Sequence, residues 1–80
     1  MIEKNRFKWK CRRGVLELDT ILIHFHQSSF DLLNDSELQE LEALLAEEDP
    51  LLLDLLLYKK HSPQHNNIIN KILTSWELVN

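Results

Sequence analysis

The sequence predicts an all-α fold, a compact five-helix bundle forming a single domain over residues 1–80. Three observations point there. Eighty residues leave room for one modest core and no second one. Hydrophobic residues make up 44% of the chain, with one Gly and two Pro, a composition too apolar for disorder and too poor in turn residues for an all-β architecture. Apolar residues also recur at helical spacing in successive segments joined by short loops, which favours neighbouring helices packed as a bundle.

The first element, Lys4 to Arg12, carries only Phe7, Trp9 and Cys11 as apolar residues among alternating charges, a pattern that taken alone would suit a strand. Gly14 follows, where a helix would end in a left-handed residue at little cost to glycine. The second element, Val15 to Phe30, places Leu18, Ile21, Leu22 and Phe25 at i, i+3, i+4 and i+7, a stripe suited to a core. In the third, Asn34 followed three residues on by Glu37 has the form of a capping box, and Leu38, Leu41, Leu44 and Leu45 make its apolar face.

The fourth element starts with Asp49 as N-cap and Pro50 at the first helical position, where its missing N–H is not needed. Leu51, Leu52, Leu53, Leu55, Leu56 and Leu57 surround nearly the whole of it, so it is expected to be the central, most buried helix. The fifth starts at Ser62-Pro63 by the same logic and carries Ile68, Ile69, Ile72, Leu73 and Trp76 on one side.

The formal charge of −4 conceals a division along the chain. Residues 1–13 hold six Lys or Arg against Glu3, whereas residues 14–58 hold eleven acids and no Lys or Arg. A basic arm could meet nucleic acid, but so many acids close by would repel phosphates, so nucleic acid is not the expected partner. No apolar run has the form of a signal peptide or an integral membrane segment, and a single Cys cannot make an internal disulfide, so a cytoplasmic protein is expected.

The chemical inventory is nearly empty. His24 and His26 point to different sides of a helix, and Ser62-Pro63 between His61 and His65 spoils the i, i+4 geometry a helical metal pair needs, so surface or boundary histidines and no metal site are expected. Cys11 beside Lys10 and Arg12 could ionise, yet no orienting histidine can be placed next to it, and a small packing residue is the expectation. The only glycine is Gly14, which excludes a Gly-rich phosphate loop. No catalytic residues and no stably bound cofactor are therefore expected. The Leu51–Leu57 run lacks a cationic polar face and reads as core rather than as a membrane-surface helix.

One segment stands apart. Trp9, Arg12, Arg13, Gly14 and Glu17 gather an aromatic, two guanidinium groups, the lone glycine and an acid around an inter-helix turn. These charges could simply complement helix dipoles. Alternatively, the turn presents Arg13 and Glu17 side by side, both mainly exposed, to a partner whose carboxylate or phosphate the guanidinium fork would take.

Arg12-Arg13-Gly14-Val15-Leu16-Glu17-Leu18-Asp19 is similar to the Arg-Gly-x-x-Glu signature that opens the second helix in the SdhE family. Phe25, Leu44-Leu45, Asp49-Pro50 with Leu52, and Pro63 before an amphipathic last helix fall in family order, so the likeness covers residues 6–76. The chain departs from the family pattern at Leu55, where members usually carry Trp, at Leu51, commonly an acid, and at Tyr58-Lys59-Lys60-His61, where a glycine is usual. The resemblance implies an assembly factor that promotes covalent attachment of FAD to a histidine of the flavoprotein subunit of succinate dehydrogenase, and in some bacteria of fumarate reductase. It implies that Trp9, Arg12, Arg13, Gly14 and Glu17 bind that subunit and that the chain supplies no reacting group. The other readings are a small helical adaptor or antitoxin and a DNA-binding helix-turn-helix protein.

Overall fold

The structure, a computed structural model, describes residues 4–79. Helix α1 spans Lys4–Lys10, α2 Leu16–Ser29, α3 Asp35–Leu45, α4 Asp49–Leu56 and α5 Asn66–Val79, with a single 3₁₀ turn at Phe30–Leu32 after α2. The five expected helices are present, and the described residues contain no strand.

The alternation in α1 dissolves in three dimensions. Phe7 and Cys11 lie four apart and both turn inward, while Trp9, between them, is 71% exposed. Phe7 meets Phe30 edge-to-face at 5.1 Å between ring centroids, which anchors α1 on the end of α2. Glu42 of α3 holds the same helix from the other side, accepting Arg6 at 3.0 Å and Lys10 at 3.2 Å, and these cations, Lys10 foremost, lower its carboxyl pKa.

The capping box forms as read: Asn34 Oδ1 accepts the Glu37 N–H at 2.8 Å and Glu37 Oε1 accepts the Asn34 N–H at 3.0 Å. Glu37 also receives Lys71 at 2.7 Å, tying the start of α3 to α5. Its carboxyl is lowered by that lysine first and by the Asn34 amide second.

Three expectations are corrected. Glu48, not Asp49, is the N-cap of α4, because the Asp49 carboxylate is engaged by Arg13 instead of by its own helix. Helix α5 starts at Asn66 rather than at Ser62-Pro63: the Ser62 carbonyl accepts the His65 N–H at 3.1 Å, closing a turn before the helix begins. The central helix is α2, which packs against α1, α4, α5 and the 3₁₀ turn and buries Leu18, Ile21, Leu22 and Phe25. In α4 only Leu52, Leu55 and Leu56 are buried, and Leu51 is on the surface. An eight-residue helix at the edge of so small a bundle has one neighbouring face to fill, however many leucines surround it.

The histidines are also placed differently in part. His26 and His65 are buried, each satisfied by one partner: His26 Nε2 lies 2.7 Å from the Lys4 carbonyl and His65 Nε2 2.8 Å from Glu47 Oε2. No group of three metal-ligating side chains is gathered among the described residues.

Candidate functional site

The segment between α1 and α2 is a turn whose shape is forced by one residue and locked by another. Gly14 has φ +83°, in the left-handed region that side chains with a Cβ rarely adopt. A Cβ there would touch nothing within 4 Å, so the glycine answers to backbone conformation and not to space. Val15 follows in extended conformation and α2 begins at Leu16. Val15 has no side-chain acceptor to cap the helix, but Asp19 of the first turn reaches back and accepts the Arg13 N–H at 2.6 Å, closing the loop around Gly14.

Arg13 is the lock. Its side chain is only 17% exposed, and its donors all turn inward. Nε donates to Asp49 Oδ1 at 2.8 Å, Nη1 to the carbonyls of Leu45 at 2.8 Å and Lys10 at 3.2 Å, and Nη2 to the Glu47 carbonyl at 2.7 Å. Lys10 and Leu45 are the last residues of α1 and α3, whose final carbonyls have no partner within their own helices. One planar guanidinium thus caps two helix C-termini and pairs with the first residue of α4, where its charge also complements both dipoles. The expectation that Arg13 stands exposed beside Glu17 is corrected. Lysine, with a point charge, could not reach these four acceptors in one plane.

The other four residues face outward. Trp9, Arg12, Gly14 and Glu17 are exposed, and the side chains of Trp9, Arg12 and Glu17 have no hydrogen-bond or ion-pair partner among the described residues. Arg12 stands at the junction of two depressions. One, of about 290 Å³, lies along α1 with Asn5, Lys8 and Trp9. The other, of about 500 Å³, runs along α2 past Leu16, Thr20 and Ile23 to Trp76 of α5. Leu16, one residue before Glu17, is 75% exposed at the rim and adds an apolar surface there.

Cys11 belongs to the core side of this turn. It is 2% exposed and burial pushes its thiol up to about 11, with Arg13 offsetting part of the rise. A thiol so held is protonated near neutral pH, which makes it a packing residue and a poor nucleophile.

Sequence reasoning singled out Trp9, Arg12, Arg13, Gly14 and Glu17 but missed what holds the turn. Asp49 was legible only as a cap, and the Leu45 and Glu47 carbonyls, being main chain, carry no residue-type signal at all. Lys8, on α1 four residues before Arg12, was also missed.

A family model described as "Flavinator of succinate dehydrogenase" matches residues 5–76 of the chain. Among curated proteins, the chain is similar to the FAD assembly factor SdhE of Vibrio parahaemolyticus, 38% identical over 73 residues that cover 89% of this chain and 85% of the relative. The FAD assembly factor SdhE of Coxiella burnetii is 40% identical over 73 residues, 89% of each chain. That of Vibrio cholerae is 48% identical over 48 residues, 60% of this chain and 56% of the relative. No solved structure matches.

Proposed function

The chain belongs to the family of flavinators of succinate dehydrogenase, and from that premise we propose that it promotes covalent attachment of FAD to the flavoprotein subunit of that enzyme by binding the subunit. The contact is made by Trp9, Arg12, Gly14 and Glu17, with Arg13 behind them as the residue that fixes the turn. One observation carries this reading. The guanidinium of Arg13 donates to four internal acceptors, so the turn is held rigid while its outer side chains remain unpartnered among the described residues. A surface ordered before binding loses little further freedom when a partner arrives.

The protein's part is conformational. It holds the flavoprotein subunit in a state in which the subunit's own groups join it to FAD, and it contributes no catalytic residue and keeps no flavin of its own. The protonated thiol of Cys11 and the histidines His26 and His65, each buried against an internal partner, leave few groups on this chain free to react. Fumarate reductase, as a related flavoprotein, is a second client in this proposal, a cytoplasmic site of action is part of it, and the whole chain acts as one domain. Nucleic acid is not a partner in this reading, because most of the basic residues are already engaged by carboxylates. No helix among the described residues is long and apolar enough to cross a membrane.

The test is in-gel flavin fluorescence of the succinate dehydrogenase flavoprotein subunit from cells with and without this chain. Loss of the fluorescent band without the chain, with the subunit itself still present, is the expected result; an equally bright band in both overturns the proposal.

A further inference from the structure

Resting on the reading that the chain binds a flavoprotein subunit, we propose that the outer face of α1 is a cationic dock for an acidic segment of that subunit. Lys8 and Arg12 take carboxylates on either side of Trp9.

The charge pattern of the folded chain singles out this face. The sequence has nine Lys and Arg, and all lie among the described residues. Seven of them reach a carboxylate within 3.6 Å. Lys8 and Arg12 are the two that do not, and neither has any other side-chain partner among the described residues. Both are exposed, Lys8 on α1 and Arg12 two residues past its end, and with Asn5 and Trp9 they line one depression of about 290 Å³.

Their isolation has a structural cause. Lys4, Arg6 and Lys10 occupy the carboxylates that border α1, Asp31 and Glu42, and the helix itself contains no acid. Among the described residues, the outward side therefore keeps two positive charges without a carboxylate partner, beside an indole that is 71% exposed. Trp and Arg are the side chains that most often dominate the energy of a protein interface, and an exposed indole between two cations offers an apolar plate with a charged rim.

The remainder of the molecule decides the sign and class of the partner. The chain as a whole is at −4, so an acidic partner is repelled from most approaches and attracted at this one, which fixes orientation as well as contact. A phosphate polymer running past the patch would meet the acids of residues 14–58, whereas a short acidic protein segment ends before it reaches them.

The experiment measures association of the full chain with the purified flavoprotein subunit of succinate dehydrogenase by stopped-flow, across a series of salt concentrations. Lys8→Glu/Arg12→Glu is compared with the native chain and with Lys59→Glu/Lys60→Glu, which carries the same net charge. The expected result is an association rate at low salt reduced about tenfold or more in the first pair and little in the second, with the native salt dependence flattened only in the first. Lys8→Gln/Arg12→Gln is expected to fall between, and serves if the reversed pair fails to fold. Equal slowing by both charge-reversed pairs makes the effect one of net charge and overturns the dock. Native rates in the Lys8 and Arg12 variants overturn it while leaving flavoprotein binding intact. A native chain that does not bind the subunit at all removes the proposed function, and the dock with it. If phosphatidylglycerol vesicles capture the native chain through Lys8 and Arg12 while the subunit does not depend on them, the face is a lipid contact and the acidic-segment assignment fails.

Discussion

Arg13 Nε lies 2.8 Å from Asp49 Oδ1, joining the turn before α2 to the first residue of α4 across 36 residues of chain. The pair is half sheltered, with side-chain exposures of 17% and 34%, so its energetics stand between those of a surface ion pair and a buried one. Because the same guanidinium caps α1 and α3, three helices meet at one residue on the inner side of the turn, and the shape of that turn is coupled to the stability of the bundle.

Arg13→Ala is therefore expected to unfold more easily, by about 2–4 kcal/mol, since it leaves the Asp49 carboxylate, two helix-end carbonyls and the Glu47 loop carbonyl without their donor. Asp49→Asn keeps an acceptor oxygen and is expected to cost less. Urea denaturation of both variants checks this. An unchanged Arg13→Ala midpoint would mean that water replaces all four bonds without loss.

The leucine-rich helix yields a contrast between two adjacent residues. Leu52 is fully buried and Leu51 is 37% exposed, so Leu52→Ala is expected to cost about 2–5 kcal/mol and Leu51→Ala under about 1 kcal/mol. The first is a large part of the total stability of about 5–15 kcal/mol usual for a domain. Equal urea midpoints for the two would remove the one-sided burial of α4.

These cases mark what was legible in the sequence. The apolar stripe of α2 and the capping box of α3 are local, and a spacing rule finds them. The centrality of α2 over α4 is not local, because it depends on which helix has neighbours on several sides, and six leucines in seven positions carry no facing information. The same holds at the turn: Gly14 was readable as a left-handed residue, whereas the inward direction of Arg13 is set by main-chain carbonyls supplied by α1 and by the segment after α3. Chain ends of helices shift by one to three residues for a related reason, as Asp49 and Ser62 found partners outside their own helices or in a turn.

Cys11 gives a pH dependence. Burial raises its folded-state value from 9.0 to about 11, so the folded protein holds the proton more tightly than the unfolded chain does. The stabilisation is fully present below pH 9 and is lost as pH rises toward about 11, with a size on the order of 2 kcal/mol. Urea midpoints measured from pH 8 to 11 are expected to fall for the native chain and to fall less for Cys11→Ala. A parallel decline in both would assign the alkaline loss to other groups.

Lys59, in the turn after α4, has φ +54°, in the left-handed region. The left-handed conformation lets the Lys60 N–H reach back to the Asp54 carbonyl at 2.9 Å, so the turn needs it whatever the side chain. Lys59→Gly is expected to stabilise by about 0.5–1 kcal/mol, the relief of strain exceeding the extra chain entropy of glycine. The ion pair given up, Lys59 to Glu77 at 3.5 Å, is largely exposed and contributes little. A lower melting temperature in Lys59→Gly would show that the strain is smaller than that entropy.

The contact role proposed for the turn separates from its structural role in Glu17 and Gly14. Glu17 is exposed in the first turn of α2 and has no partner among the described residues, so Glu17→Ala removes only a favourable charge at a helix N-terminus, roughly 0.3–1 kcal/mol, and its melt is expected to stay near that of the native chain. Flavin incorporation into the co-expressed flavoprotein subunit is nevertheless expected to fall substantially, because truncating one member of a charged contact at an interface costs about 2–5 kcal/mol. Gly14→Val is expected to damage both properties: no atom lies within 4 Å of the added Cβ, but a β-branched residue is strained at φ +83°, and relieving that strain shifts Arg12 and Glu17 relative to each other. Thermal melts set beside covalent flavin fluorescence give the answer. If Glu17→Ala melts normally and still supports full flavinylation, Glu17 is no contact residue, and a Gly14→Val defect would then report only the strain of the turn.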